Sequence, residues 1–251
     1  MNNVETLSQE EESPYISVVL PAYNEADRIL KTLEAVKKYF SKKPHTFEVI
    51  VVSDGSKDST EEVVRKAIEK CNNLRLVMYT PNRGKGYAVK CGMLSAKGKV
   101  RLYMDADNAI DINHLDNFLK ELENGYDIVV GSVHLPGAEI NINYEWYRRI
   151  LSFIGGLIMQ YTAGAGLSDV LRAFKLFTAS AAETLFLRQT IERFGFDMEL
   201  MMIARHLNFR IKELPVRWLN PYGDRVTLKA YFFTLWELIL VKFKAWSGKY
   251  K

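Results

Sequence analysis

The sequence is poor in the residues that define several common protein classes. Its 251 residues include two cysteines, Cys71 and Cys91, and four histidines. Two cysteines match neither a disulfide framework nor a zinc site, which indicates a reducing compartment. Four histidines leave a metal hydrolase few ligands to draw on. Disulfide-rich secreted domains and zinc hydrolases are therefore not expected.

The charge balance is also unremarkable. The net charge is +4, whereas a nucleic-acid surface usually shows clustered lysine and arginine. We therefore expect no nucleic-acid partner. Residues 1–13 are polar and acidic, without the basic start and apolar core of a signal peptide. We interpret them as a flexible tail.

Two nucleotide-binding motifs are missing. No GxGxxG follows the first apolar run and no GxxxxGK[ST] occurs, which argues against a dinucleotide oxidoreductase and a P-loop NTPase. No Ser/His/Asp arrangement is legible either. The site must therefore be sought in other residues.

What the chain does contain is a regular alternation of strands and helices. β-branched runs such as "YISVVLP" and "FEVIVVS" each precede an amphipathic helical segment. This pattern continues to about Ser132 and predicts an α/β fold with a mostly parallel sheet flanked by helices. Such sheets bind ligands beyond the carboxyl ends of their strands.

Four polar loops follow the first four predicted strands, namely "AYNE", "SDGSKD", "NRGKG" and "DADN". Because parallel strands end at one edge, these loops should converge there and form a nucleotide site. In "DADN", Asp105 and Asp107 provide two hard oxygen ligands where Mg²⁺ could bridge to phosphates. Asp54 should lie in the same crevice, and Lys85, which opens a helix, could supply positive charge near a phosphate.

The second half has a different character. Residues 150–168 carry no charge but are interrupted by four glycines, so they predict either a core helix with a glycine loop or an interfacial segment. Six aromatic residues lie between Tyr231 and Trp246, and Lys229, Glu237 and Lys244 form a thin charged stripe. This favours a C-terminal amphipathic helix in a membrane interface over one docked on the domain or on a second subunit.

Eight segments in order resemble the inverting family 2 glycosyltransferases of the GT-A fold. They are "SVVLPAYNEADRI", "EVIVVSDGSKDST", "NRGKGYAV", "DADNA", "GSVHL", "DVLRAFKLF", "ERFGFDMELMMIA" and "ELPVRW…GDR". Within that family the chain is most similar to the group that includes dolichyl-phosphate β-glucosyltransferase and dolichyl-phosphate mannose synthase. The processive signature QxxRW is absent, so the resemblance does not extend to polymerising members.

The resemblance implies roles for individual residues. The nucleoside would be held by Pro21, Tyr23, Glu25 and Asp54. Asp105 and Asp107 would bind Mg²⁺ or Mn²⁺ with the diphosphate, and Ala106 would contact the nucleotide. Asp197 and Glu199 match acidic positions near the sugar, and Arg225 matches a basic residue of the loop over the diphosphate.

The expected reaction is transfer of a hexose, best guessed as glucose from UDP-glucose, to a polyprenyl or dolichyl phosphate at the cytoplasmic face of a membrane. A phosphate monoester is already anionic near neutral pH, so the acceptor needs positive partners rather than a base. Arg148 and Arg149 are candidates, and Arg172 could compensate for Val133, where relatives commonly carry arginine. The expected domain covers residues 14–225, with a nucleotide-binding half at 14–132 and an acceptor half at 133–225, before the interfacial helix at 226–251.

Other functions remain open at this stage. The donor could be GDP-mannose, or the acceptor a saccharide or protein hydroxyl with Asp197 as general base. A non-catalytic membrane scaffold is prompted by Val133 and the altered segment 169–173. The sequence does not distinguish these alternatives or predict an oligomeric state.

Overall fold

The structure is a computed structural model, and it describes residues 13–141 and 167–219 together with Glu237 and Phe243. Strands within these residues are β1 (Ile16–Ala22), β2 (Phe47–Asp54), β3 (Leu74–Tyr79), β4 (Val100–Met104), β5 (Ile128–Ser132), β6 (Glu139–Asn141), β7 (Phe174–Thr178), β8 (Ile211–Pro215) and β9 (Arg217–Leu219). Helices are α1 (Ile29–Phe40), α2 (Thr60–Ile68), α3 (Lys85–Ser95), α4 (Leu115–Glu123), α5 (Ala179–Arg188) and α6 (Phe196–His206).

Seven of the described strands form one sheet in the order β3-β2-β1-β4-β7-β5-β8. Strands β1 to β4 are parallel neighbours in that sheet, and β5 pairs with β8 in parallel. Strand β7 is antiparallel to both β4 and β5. The predicted α/β fold with a mostly parallel sheet is confirmed, and the antiparallel β7 joins the chain's two halves within a single sheet.

Two apolar layers cover the sheet. One face carries Val19 and Tyr103 in a cluster that includes residues of α3, α5 and α6. The other face carries Val18 and Leu102 in a cluster that includes residues of α1 and α4. Adjacent residues of one strand point to opposite faces, so the continuous apolar runs of β1 and β4 reflect burial on both sides.

The second half adds a small parallel pair, β6 with β9, and Ile110 bridges to Trp218 beside it. None of the helices that the structure describes has both the length and the apolar content needed to cross a membrane. The predicted interfacial helix at 226–251 lies outside the described residues except for Glu237 and Phe243, both of which are helical. Most of the uncharged segment at 150–168 also lies outside them.

Candidate active site

Hydrogen bonds from backbone amides to side-chain oxygens join the loops after β1 and β2. The Lys57 amide donates to Asn24 Oδ1 at 2.8 Å, and the Glu25 amide donates to Thr60 Oγ1 at 2.8 Å. Asn24 has φ 55, a left-handed conformation that asparagine tolerates better than most residues. These bonds fix the segment that contains Tyr23 and Glu25. Two of the predicted polar loops therefore form one rigid wall.

The predicted nucleoside-binding residues differ in exposure. Pro21 is buried within β1, whereas the Tyr23 side chain is 41% exposed at the rim. Glu25 forms an ion pair with Arg28 at 2.6 Å, and Arg28 is buried. Arg28 also acts electrostatically on Asp107. It is a cation of the crevice that the sequence analysis did not single out.

Asp54 organises the loop after β3. Its Oδ1 accepts from the Arg83 amide at 2.7 Å, and its Oδ2 accepts from the Gly84 amide and from Asn82 Nδ2, both at 2.8 Å. Burial and the neighbouring Asp54 raise the pKa of the Tyr79 hydroxyl, so a fourth donor lies beside the Asp54 carboxylate. Gly84 has φ 115, a backbone conformation that would be strained for any residue with a side chain. Asp54 thus shapes the loop, and its contact with a nucleoside stays a prediction.

Asp105 and Asp107 directly follow β4, as predicted. Thr32 donates to the Ala106 carbonyl at 2.6 Å, and Asp107 Oδ1 accepts from the Ala109 amide at 3.0 Å, so the turn is held on both sides. Burial and the neighbouring Asp105 raise the pKa of Asp107, whereas the Ala109 amide, Lys85 and Arg28 act to lower it. The two carboxylates therefore repel each other, and a cation between them would relieve this.

Lys85 is the first residue of α3 and reaches across to the pair. Its Nζ lies 2.5 Å from Asp105 Oδ1. Burial acts to lower the pKa of Lys85, but Asp105, Asp197 and Asp107 together raise it. The ammonium thus lies where three carboxylates converge. The structure brings together Lys85, Asp105 and Asp107, which the sequence analysis had placed in one crevice.

The pair fits a divalent cation whose shell is completed by ligand oxygens. Among the described residues, no group of three His, Cys, Asp or Glu side chains gathers as a metal site. Mg²⁺ typically uses one or two carboxylates plus substrate phosphates, which is what Asp105 and Asp107 offer. Burial and then Asp105 raise the pKa of Asp107, and a cation bound here would oppose both effects.

Asp197 lies in a buried network that the sequence did not predict. Lys175 Nζ donates to Asp197 Oδ1 at 2.6 Å, and Tyr103 OH donates to the same oxygen. Burial raises the pKa of Asp197, opposed by Lys175 and Tyr103, and burial lowers the pKa of Lys175, opposed by Asp197. A lysine inside the apolar run "FKLF" was the one feature of the sequence that could have indicated a buried ion pair.

Glu199 has a different environment from Asp197. Its Oε2 accepts from the amides of Thr190 and Ile191 at 2.8 and 2.7 Å, and its Oε1 accepts from Thr190 Oγ1 at 2.5 Å. Glu199 is fully buried. Its carboxylate therefore anchors the loop before α6. Contact with the sugar stays a prediction.

Of the three arginines predicted to bind the acceptor, Arg172 lies within the described residues. Arg172 Nε donates to Asp169 Oδ2 at 3.0 Å, and its guanidinium carbon lies 4.0 Å from the centre of the Trp218 ring. Val133 is buried, and its amide donates to the same Asp169 oxygen at 3.3 Å. Arg172 and Val133 therefore meet at Asp169. Arg148, Arg149 and Arg225 lie outside the described residues.

Comparisons with known proteins identify the family. A model of glycosyl transferase family 2 matches residues 17–186. Dolichyl-phosphate beta-glucosyltransferase of Dictyostelium discoideum is 34% identical over 256 residues, covering 94% of this chain and 76% of that protein. The Homo sapiens protein of that name is 34% identical over 238 residues, covering 88% of this chain and 73% of its own length.

A solved structure supports the fold assignment. Glucosyl-3-phosphoglycerate synthase from Mycobacterium tuberculosis, in complex with Mn²⁺, UDP and phosphoglyceric acid, superposes with a TM-score of 0.68 at 16% identity. The match covers 91% of this chain and 78% of that one. At this identity the likeness speaks for the fold alone, which is GT-A. With the family model and the curated relatives, it follows that this chain belongs to glycosyl transferase family 2.

Proposed function

We propose that this glycosyltransferase moves glucose from UDP-glucose to a dolichyl or other polyprenyl phosphate, with Mg²⁺ or Mn²⁺ as cofactor. The observation that carries the proposal is the convergence of Asp105, Asp107 and Lys85 at the carboxyl edge of the sheet. The acceptor and the sugar are argued from relatives named dolichyl-phosphate beta-glucosyltransferase. A UDP-bound structure with the same fold supports uridine as the nucleoside of the donor.

The donor would lie across the four loops. Its nucleoside would pack against the wall formed by Pro21, Tyr23 and Glu25, with the Asp54 carboxylate beside the base. Ala106 lies between the two carboxylates and presents backbone rather than side-chain bulk to the nucleotide. Its carbonyl is held by Thr32, so the turn need not rearrange when a ligand binds.

The diphosphate would meet positive charge from two sides. Asp105 and Asp107 would hold the divalent cation, which supplies electrostatic stabilisation of the departing nucleoside diphosphate. Lys85 at the start of α3 adds an ammonium and a helix N-terminus, a favourable place for phosphate. Arg225 would contribute from the loop that covers the diphosphate.

The acceptor phosphate would attack the anomeric carbon directly, since its second pKa is about 6 and it arrives largely anionic. Arg148 and Arg149 would bind it, and Arg172 would add charge from its place over Trp218. The domain would cover residues 14–225, its nucleotide and acceptor halves meeting at residue 132. The aromatic segment 226–251 would dock on the cytoplasmic face of the membrane that carries the lipid.

Partitioning of label into an organic phase tests the proposal. Radiolabelled UDP-glucose is incubated with the protein, dolichyl phosphate and Mn²⁺, with GDP-mannose in a parallel reaction. Label from UDP-glucose in the organic phase is the expected result. Label from GDP-mannose would replace the donor, aqueous labelled product would favour a hydroxyl acceptor, and no transfer with intact nucleotide binding would favour a scaffold.

A further inference from the structure

The network around Asp197 leaves one carboxylate oxygen available. Tyr103 OH and Lys175 Nζ both donate to Oδ1. Among the described residues, the donors to the Asp197 carboxylate are these two, and neither donates to Oδ2. The residue as a whole is only 3% exposed. Oδ2 is therefore the oxygen of Asp197 that has no donor among the described residues.

Lys175 has no donor left for a ligand. Its ammonium carries three N–H groups, and they are used by Asp197 Oδ1 at 2.6 Å, Tyr103 OH at 2.8 Å and the Arg172 carbonyl at 2.5 Å. The side chain is fully buried. Lys175 thus acts on the crevice only through the groups that it holds.

A second group of one tyrosine, one aspartate and one lysine in this structure has a different hydrogen-bond arrangement. On the opposite layer, Tyr39 OH donates to Asp116 Oδ1 at 2.7 Å and Lys43 Nζ donates to Asp116 Oδ2 at 2.7 Å. There the two donors share the carboxylate between both oxygens. At Asp197 they converge on one oxygen and leave the other open.

The network borders the carboxylate pair. Tyr103 and Lys175 are register partners across β4 and β7, and Asp105 follows the end of β4. Lys85 interacts electrostatically with both Asp105 and Asp197. Burying an ion pair costs desolvation that apolar residues of similar volume would avoid, so stability alone gives little reason for this trio.

We propose that Lys175 and Tyr103 are positioning residues that fix Oδ1 of Asp197, so that Oδ2 accepts a hydroxyl of the donor's sugar. This rests on the proposed function in requiring a nucleotide sugar in the crevice. The sugar's hydroxyl donates to Oδ2 while the diphosphate lies on the side of Lys85. A nucleotide without the sugar has no such group, so it does not make this hydrogen bond.

Binding of UDP and UDP-glucose, each with Mn²⁺, isolates the sugar's contribution. Isothermal titration calorimetry gives the ratio of the two Kd values for the wild type, Tyr103→Phe, Asp197→Asn and the double variant. We expect Asp197→Asn to lower the ratio of the UDP Kd to the UDP-glucose Kd at least about tenfold, near the lower end for a hydrogen bond to a charged group. Tyr103→Phe, which leaves the acceptor in place, should lower the ratio about fivefold. Tyr103→Phe keeps the charge of Asp197, so it should leave the Kd for UDP itself within about twofold.

The double variant and a matched control test whether Tyr103 acts through Asp197. Residues that act as one unit are not additive, so Tyr103→Phe should have no further effect in the Asp197→Asn background. Tyr39→Phe, which removes the hydroxyl from the Asp116 trio, should leave the ratio unchanged. Melting curves of all variants establish that they fold.

Three results would overturn the inference: an unchanged ratio in Tyr103→Phe, an equal loss for UDP and UDP-glucose, or a full effect in the Asp197→Asn background. A wild type that binds only GDP and GDP-mannose would contradict the proposed donor, and the same ratio would then be measured with that pair. A wild type that binds no nucleotide would end both proposals. Binding without any lipid product would contradict the proposed acceptor alone.

Discussion

Lys85 Nζ lies 2.5 Å from Oδ1 of Asp105, so a lysine at a helix N-terminus partly neutralises the carboxylate pair before any ligand arrives. The ammonium and a divalent cation would compete for the same oxygen. Once a diphosphate is bound, both can be accommodated, because the phosphates add negative charge. We therefore expect Lys85 to link cation affinity to nucleotide occupancy.

Lys85→Met should bind Mn²⁺ more tightly in the absence of nucleotide. The ion pair is partly exposed, with side chains 24% and 38% accessible, so the gain should be about fivefold, or about 1 kcal/mol. With UDP present the sign should reverse, since the diphosphate loses a positive partner. Electron paramagnetic resonance titration of Mn²⁺ with and without UDP measures both. Equal Mn²⁺ affinity in the two proteins would argue against competition at Asp105.

Asp107→Asn should remove transfer without loss of the fold. Burial and Asp105 raise the pKa of Asp107, so the substitution relieves repulsion and should leave the melting temperature equal or higher. Loss of one ligand should lower kcat at least about a hundredfold, the scale of removing one stabilising group from a reacting centre. Glu123→Gln, an exposed change at the end of α4, is the control. Wild-type turnover in Asp107→Asn, or in excess chelator, would contradict the metal role.

Glu237 contacts Gly195, the residue just before the helix that carries Asp197. Its Oε2 accepts from the Gly195 amide at 2.7 Å, and a Cβ placed at residue 195 would lie 2.7 Å from the Glu237 Cβ. Glu237→Ala should speed hydrogen exchange at the Gly195 amide about tenfold, as expected for the loss of a hydrogen bond to a charged acceptor. Gly195→Ala should lower the melting temperature. Unchanged exchange in Glu237→Ala would show that the contact is absent in solution.

Glu48 should make stability depend on acid. Burial raises its pKa, but Ser17, the Lys97 amide and Arg75 outweigh this and lower it below the ordinary value of 4.5. A lowered folded pKa gives stability that is present above about pH 4.5 and is lost as the pH falls through the folded value. Glu48→Gln should be about 1–3 kcal/mol less stable at pH 7 and should lose less on acidification.

Urea denaturation at several pH values between pH 7 and pH 3 measures how the free energy of unfolding changes with pH. Glu62→Gln is the matched control, because Glu62 pairs with Lys66 at 2.6 Å on an exposed surface, where an ion pair contributes little. The prediction would be contradicted if the free energy of unfolding fell equally steeply with decreasing pH in the wild type and in Glu48→Gln.

The first half of the fold was predictable because its signals are local. Apolar runs such as that of β4, followed by polar loops, determine both the strand and the edge at which Asp105 lies. Strand β7 was not predictable in its place, because it comes from the second half and inserts antiparallel between β4 and β5. Pairing of that kind depends on contacts between residues far apart in sequence.

The same distinction applies to the site. Asp105, Asp107 and Lys85 follow strand ends or begin a helix, so their meeting follows from the topology. The contact of Lys175 with Tyr103 spans 72 residues, and no periodicity predicts it. The loop contacts of Asp54 were hidden for another reason: a carboxylate that accepts backbone amides has the same sequence appearance as one that binds a ligand.

The decisive measurement is transfer of label from UDP-[¹⁴C]glucose to dolichyl phosphate. We expect organic-soluble product that requires Mn²⁺ or Mg²⁺, is released by mild acid as glucose, and forms at least about a hundredfold more slowly with Asp107→Asn. Organic-soluble product that forms equally well in chelator, or the absence of any such product from a protein that binds UDP-glucose, would contradict the proposed function.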